Sequence, residues 1–333
     1  MVAQTVPDWA TAKSTGIGSD RHDPVACTLA LAEGRCEAIE CAGLIRYRVW
    51  KGQGLLRMRT VPVVVVLALL LAPQLAYSRS RDVAIHVTRL GGNTTLAQPY
   101  VDRFLRYVES AAGWTPHSMR GSFQIRKRGA IAYVANTKPG LGIIEPPLYF
   151  EYRQAWRLQP ILQTESKKLV SDRLHVVVKD PAIKVLADLK GKRVWTTLAE
   201  YPKYLSRIVL NGQVDAAELF ILRQVDSAMK SARSVIRGDC DATILDDEQF
   251  SKAKTIQGGK NLRVIYDSPA LPALPVVVFG TALSAQERAT LTKVLLEMCS
   301  SSKGAGICKK MRIGRFAPLD TALFTALQKR YGE

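Results

Sequence analysis

Leu262-Arg263-Val264-Ile265-Tyr266-Asp267-Ser268-Pro269-Ala270-Leu271-Pro272-Ala273-Leu274-Pro275 is the stretch on which the fold turns. Leu262 to Ile265 reads as a strand, and so does Val276 to Phe279 just beyond it. Between them, Pro269, Pro272 and Pro275 have no N–H to give to a ladder, so this segment cannot be the middle of a sheet. It suits an extended connector carrying the chain from one lobe to another.

Working outward, short β-branched runs alternate with helical patterns. Val83 to Val87, Leu141 to Ile144, His175 to Val178, Val194 to Thr196 and Ala242 to Leu245 are expected strands. Val101, Phe104, Leu105, Val108 and Ala112 keep helical spacing, and Ser227 to Arg237 and Gln286 to Met298 read as helices. Ser284 with Glu287 forms a capping box ahead of the last of these. Gly191 gives a tight turn before Val194, and Gly238-Asp239 stops a helix so that the chain turns into the Ala242 strand. Alternation of this kind predicts an α/β fold with mostly parallel sheets. In such sheets ligands sit outside the carboxyl ends of the strands.

Three segments carry a resemblance to a known family. Asp188-Leu189-Lys190-Gly191-Lys192-Arg193-Val194-Trp195 is similar to the segment by which many periplasmic solute-binding proteins of ABC importers enter their second lobe. Ala228 to Asp247, with its Gly238-Asp239-Cys240-Asp241-Ala242 turn, resembles the next helix and strand. The Ser268-Pro269 to Pro275 run resembles the return crossing of the phosphate/phosphite/phosphonate branch. The resemblance covers most of 83 to 300. It implies the two-lobed periplasmic-binding-protein-like fold, with two interlobe crossovers and a ligand cleft. Lobe one is then expected at 79–174 plus 269–333, and lobe two at 175–268.

The carboxyl-end rule then selects the candidate site. Gly92, Asn93, Thr94 and Thr95 follow the first strand and read either as an anion cradle at a helix start or as a plain turn with a Thr cap. Glu145 and Tyr149 follow the third element: the acid reads as a partner for a cationic part of a ligand or as a solvated loop acid, the ring as a stacking face or a core tyrosine. Thr196 and Thr197 stand where phosphonate-binding relatives have a loop rich in Ser, Thr and Gly. Here that loop continues Leu198-Ala199-Glu200-Tyr201, and Glu200 repels a phosphonate unless it points away. Asp246 is assigned to the cleft and Asp247 to the N-cap of the next turn. Pro272 is expected to line the hinge.

Met58 to Ser78 reads as a signal peptide lying inside the chain. Arg57 and Arg59 flank an apolar run, Val61 to Ala72, and Ala76 and Ser78 supply the small residues ahead of a cleavage point. The alternative is an uncleaved anchor, although Thr60 to Tyr77 is short of about 20 residues and holds Pro62 and Pro73. Either way residues 79–333 are expected in the periplasm, and Met58 is expected to be the true initiator, with 1–57 a non-native upstream extension. The formal charge of +18 sits almost wholly after residue 78. Its only tight clusters, Arg126-Lys127-Arg128 and Lys309-Lys310 with Arg312, lack the interleaved aromatics of a nucleic-acid platform.

Of six cysteines, Cys27, Cys36 and Cys41 precede the cleavage point. In an oxidising compartment Cys299 and Cys308 are expected to bridge, leaving Cys240 as a buried small hydrophobe. No spacing signals a metal or a cofactor, and no GxSxG or HExxH signals an enzyme. The expectation is therefore a monomeric, non-catalytic solute-binding component of an ABC importer, holding a small ligand, with a phosphorus oxyanion among the candidates, and handing it to membrane subunits. A ligand-sensing receptor ectodomain, or less readily a periplasmic enzyme, is the alternative.

Overall fold

The computed structural model describes residues 81–88, 94–165 and 173–332. The 1–57 extension, the 58–78 segment, Gly92, Asn93 and the side chain of Thr94 lie outside the described residues. Eleven strands fall into two sheets. The first contains β1 (Val83–His86), β2 (Gly121–Gln124), β3 (Leu141–Ile144), β4 (Leu158–Glu165), β10 (Pro275–Phe279) and β11 (Arg315–Ala317), in the order β11-β4-β10-β3-β1-β2. The second contains β5 (Leu174–Val178), β6 (Lys192–Thr196), β7 (Phe220–Gln224), β8 (Ala242–Asp246) and β9 (Arg263–Asp267), in the order β7-β6-β8-β5-β9. The chain thus leaves the first sheet after Glu165 and returns to it at Pro275.

The sheets are mixed, not mostly parallel. β1 runs parallel to β2 and β3, and β6 runs parallel to β7 and β8. The strands beside the two crossings pair antiparallel, β10 against β3 and β4 and β5 against β8 and β9, as does β11 against β4. A strand that carries the chain back from the other sheet must enter from the opposite end, which reverses its direction.

Strands read from continuous apolar runs are central. Every residue of β1, β3, β5 and β10 is buried, as expected when helices cover both faces of a sheet. α1 (Thr94–Ala112) buries Val101, Phe104, Leu105 and Val108 against one face of the first sheet, together with α6 (Ala285–Met298). Between them in the chain come α2 (Lys127–Thr137), α3 (Pro146–Tyr152), α4 (Ala228–Arg237) and α5 (Asp247–Thr255). After α6 follow α7 (Ala305–Lys310) and α8 (Thr321–Tyr331). α4 ends at Gly238, whose φ of 84° lets its N–H turn back to the carbonyls of Ser234 and Val235.

α4 and α5 cover the outer face of the second sheet through Ala232, Val235 and Ala253. The inner faces of the two sheets share one apolar cluster, in which Ile144 and Val277 of the first meet Val176 and Ile244 of the second through Tyr149, Phe150, Tyr201 and Tyr204. Cys299 and Cys308 are joined in a disulfide between α6 and α7, with Cα atoms 5.6 Å apart. Cys240 is a free, buried thiol, and burial pushes its pKa up to about 12.

Candidate functional site

The carboxyl ends of β1, β3 and β6 converge between the sheets. β1 and β3 are parallel neighbours in register, His86 beside Ile144, so the residues that follow them lie side by side. Glu145 comes next on β3 and precedes Pro146 and Pro147 at the start of α3. Neither proline has an N–H, and no side-chain cap forms at this helix start. The Glu145 side chain instead reaches back to the end of β1. Its Oε2 accepts the backbone N–H of Thr88 at 2.9 Å and the Thr88 hydroxyl as well. Glu145 and Thr88 are both buried, so this pairing ties the departing β1 chain to the first turn of α3.

His86, the last residue of β1, is 1% exposed. Its Nδ1 lies 2.9 Å from the Gln124 carbonyl, which can only accept, so Nδ1 carries the proton of the neutral ring. Nε2 is then the acceptor for the hydroxyl of Tyr201, 2.9 Å away in the loop after β6. Burial holds the imidazole below its ordinary pKa, opposed by Glu145, the Gln124 hydrogen bond and Glu200. Burial likewise pushes the Tyr201 hydroxyl far up, helped by Glu145, Glu200 and Glu151.

The loop that delivers Tyr201 is fastened by Gln224 of β7. The Gln224 amide donates to the carbonyls of Thr197 (2.9 Å) and Val225 (3.2 Å), and its oxygen accepts the Glu200 N–H at 3.2 Å. Thr196 Oγ1 accepts the Leu198 N–H at 3.2 Å. From the other sheet, Lys127 Nζ donates to both Glu151 oxygens (2.6 and 2.8 Å) and to the Glu200 carbonyl (3.1 Å), and lies 4.9 Å from the centre of the Tyr201 ring. Glu200 Oε2 is buried with no hydrogen-bond partner among the described residues. A cavity of about 10 Å³, the room a single water needs, is lined by Glu145, Pro146, Pro147, Leu174, Leu198, Tyr204, Leu271 and Pro272.

The crossings meet beside this cavity. Leu174 and Ser268 exchange hydrogen bonds: the Ser268 N–H donates to the Leu174 carbonyl and the Leu174 N–H to Ser268 Oγ, both at 2.9 Å. His175 is clamped by Asp267 Oδ1 at Nδ1 (2.6 Å) and Asp247 Oδ1 at Nε2 (2.8 Å).

A sequence profile described as "ABC transporter, phosphonate, periplasmic substrate-binding protein" matches residues 125–324, more than half of the chain. The chain belongs to this family. Its members are periplasmic substrate-binding components of ABC importers, which take a small ligand and deliver it to membrane subunits. A binding protein of a Pseudomonas aeruginosa ABC phosphonate transporter shares the fold at a TM-score of 0.58 and 15% identity, over 76% of this chain and 85% of that one. A Prochlorococcus marinus protein in complex with methylphosphonate gives 0.55 and 12%, over 76% and 97%. A Xanthomonas citri protein bound to ATP gives 0.61 and 17%, over 76% and 96%. At these identities the likeness is one of fold: the two-lobed periplasmic binding protein. Comparison with curated protein sequences returns no match.

Within this family fold the residues singled out from sequence separate into two groups. Glu145, Thr196, Thr197 and Pro272 stand at the junction between the sheets, all but Pro272 at carboxyl strand ends, and Glu145 and Pro272 line the cavity. Tyr149 is fully buried, in edge contact with Phe150 and Phe324, and its hydroxyl accepts from Gln328 Nε2 at 2.9 Å. At the end of β8 the cap of α5 is Asp246, not Asp247: it accepts the Gln249 N–H at 2.7 Å in a full capping box, while Asp247 binds His175. The spacing Asp246-x-x-Gln249 carried that signal. His86, Tyr201, Lys127 and Gln224 were not singled out as site residues. His86 was legible as the terminal residue of a strand at its carboxyl edge.

Proposed function

We propose that this protein, exported through the 58–78 signal peptide and monomeric, captures a small solute between lobe one (79–174 plus 269–333) and lobe two (175–268) and releases it unchanged to its importer. The observation that carries this reading is the meeting of the β1, β3 and β6 ends at one buried junction, closed by His86 and Tyr201 from opposite sheets. The solute-facing set comprises Gly92, Asn93, Thr94, Thr196 and Thr197, with Glu145 beside them. Tyr149 and Asp246 support this set, since their polar atoms already serve Gln328 and Gln249. Pro272 lies at the hinge beside the Leu174–Ser268 tie.

The two histidines of the described interior have both ring nitrogens engaged, His86 by Gln124 and Tyr201, His175 by Asp267 and Asp247. The small solute is a phosphorus oxyanion or a zwitterion bearing one. Lys127 is paired with Glu151, and Glu145, Glu200 and Glu151 all act on Tyr201, which disfavours a ligand of high negative charge with no compensating group.

A thermal-shift series of the exported protein with phosphate, phosphite, methylphosphonate, aminoalkylphosphonates and amino acids tests this. A ligand at 100-fold over its Kd stabilises the fold by about 2.7 kcal/mol, a visible rise in Tm. No shift with any phosphorus compound overturns the oxyanion assignment.

A further inference from the structure

In a solute-binding protein of two hinged lobes, closure ordinarily follows capture, because the solute supplies the contacts that join them. Here the lobes supply those contacts themselves. We propose that this protein latches closed without solute, through the His86–Tyr201 hydrogen bond and a strap formed by the C-terminal helix α8. The proposal rests on the two-lobe reading above, though not on any particular solute.

The strap is anchored on one lobe and reaches the other. At its start the Asp320 N–H donates to Gln163 of β4 at 3.1 Å, and further along Gln328 donates to Tyr149. At its end, Tyr331 lies 5.5 Å from Phe150 of its own lobe, and Lys203 of the opposite lobe places its Nζ 4.2 Å from the Tyr331 ring centre. Phe324, Leu327 and Tyr331 are buried in one cluster with Leu205, Ile208 and Val209. Those three residues belong to a π-helical turn, Leu205–Val209, in which the Leu210 N–H bonds to the Leu205 carbonyl at 2.8 Å. Such single π turns recur at functional sites. Tyr204, just before it, lies with its ring 6.0 Å from that of Phe150 and tilted to it, and Phe150 in turn meets Tyr331, so the strap and the segment bearing Tyr201 share one aromatic contact.

At the crevice end three polar pairs join the lobes. His86 accepts from Tyr201, Lys127 donates to the Glu200 carbonyl, and Arg126 pairs with Asp226. Opening exposes this aromatic surface and unmakes every one of these bonds. Solute-driven closure from 1:99 to 99:1 demands about 10⁴-fold tighter binding to the closed state. A latch made by the protein removes that demand. Its consequence is that solute must wait for opening, so apparent affinity falls by the open fraction.

The test is an interlobe distance measured by double electron–electron resonance. Spin labels go on the exposed positions Ala135 of α2 and Lys230 of α4, as A135C/K230C. In the exported chain, 79–333, Cys27, Cys36 and Cys41 are gone, Cys240 is buried and Cys299–Cys308 bridged, so none competes for label. The expected result is one short distance without solute, unchanged by added phosphate or methylphosphonate. Tyr201→Phe combined with Tyr331→Ala in the labelled protein should raise a longer-distance population at least fivefold. A predominantly long distance in the solute-free parent overturns the latch, and so does a double variant that stays short. If circular dichroism shows the double variant unfolded, Tyr201→Phe alone, which keeps the ring, decides on the same criterion. A flat thermal-shift series with a short solute-free distance would sink the solute assignment and leave the latch standing; the reverse pair of results would do the opposite.

Discussion

His86 Nε2 and the Tyr201 hydroxyl meet at 2.9 Å across 115 residues of chain, each about 1% exposed. One ends the first strand of one sheet and the other follows the first parallel strand of the second. Because Nδ1 of the same ring donates to Gln124, Nε2 of the neutral ring accepts the Tyr201 hydroxyl. Burial keeps it so by lowering its pKa from the ordinary value near 6.5.

That shift fixes the sign of a pH dependence. The unfolded chain takes up a proton on this histidine at higher pH than the folded one does. The stability tied to neutral His86 is therefore complete above about 6.5 and is lost as pH falls toward the depressed folded value. Urea midpoints measured from pH 8 downward, a range chosen to bracket that value of about 6.5, should decline for the native protein. His86→Gln should decline less steeply over the same interval. Equal slopes would mean that His86 does not titrate in this way.

Glu145 is the next handle. Removing its carboxylate leaves the buried Thr88 N–H without the acceptor it has at 2.9 Å. An orphaned buried donor costs about 1–3 kcal/mol. Glu145→Ala should lower the urea stability by that amount, while Glu145→Gln, which keeps an acceptor oxygen, should lose less. If the two variants match, the tie to Thr88 is not what the side chain contributes.

At the end of β8 the capping assignment is testable with two neighbours. Asp246→Ala removes a capping box and should cost about 0.5–2 kcal/mol. Asp246→Asn should retain most of it. Asp247→Ala leaves the cap intact and removes one of the two carboxylates on His175. Helical amide exchange over 247–255 should therefore quicken for Asp246→Ala and not for Asp247→Ala.

How much of this was legible follows from burial. β1, β3, β5 and β10 are buried along their whole length, so they stand out as unbroken apolar runs. β2 and β7 are edge strands, and β4 carries Pro160, so Gly121-Ser122-Phe123-Gln124 and Leu158-Gln159-Pro160 carry no such run. The return crossing was readable because Pro269 and Pro272 lack the N–H a ladder interior needs, and the chain re-enters the first sheet only at Pro275, the first residue of β10. The strand-end rule selected Glu145 and the Thr196–Thr197 loop, and these stand at the carboxyl ends of β3 and β6. It could not pair His86 with Tyr201 or Lys127 with Glu200, because each pairing depends on how two bodies far apart in sequence come together. Local pattern holds no record of that.

Gln224 offers the sharpest test of the loop that carries Tyr201. One side-chain amide makes three hydrogen bonds, to the Thr197 and Val225 carbonyls and from the Glu200 N–H. At about 0.5–1.5 kcal/mol for each net hydrogen bond, Gln224→Ala should destabilise the protein measurably by urea titration, and β7 itself should persist because its ladder to β6 is made by backbone groups. The local effect is the discriminating one. Amide exchange should accelerate across 197–201 while that of β6 stays protected, since the loop loses its fastening and the strand does not. With Tyr201 less firmly placed, His86 loses part of its partner, so the pH dependence argued for His86→Gln should reappear in weaker form in Gln224→Ala. An unchanged exchange rate at Glu200 and Tyr201 would show that Lys127, holding the same loop through the Glu200 carbonyl at 3.1 Å, suffices to fix it.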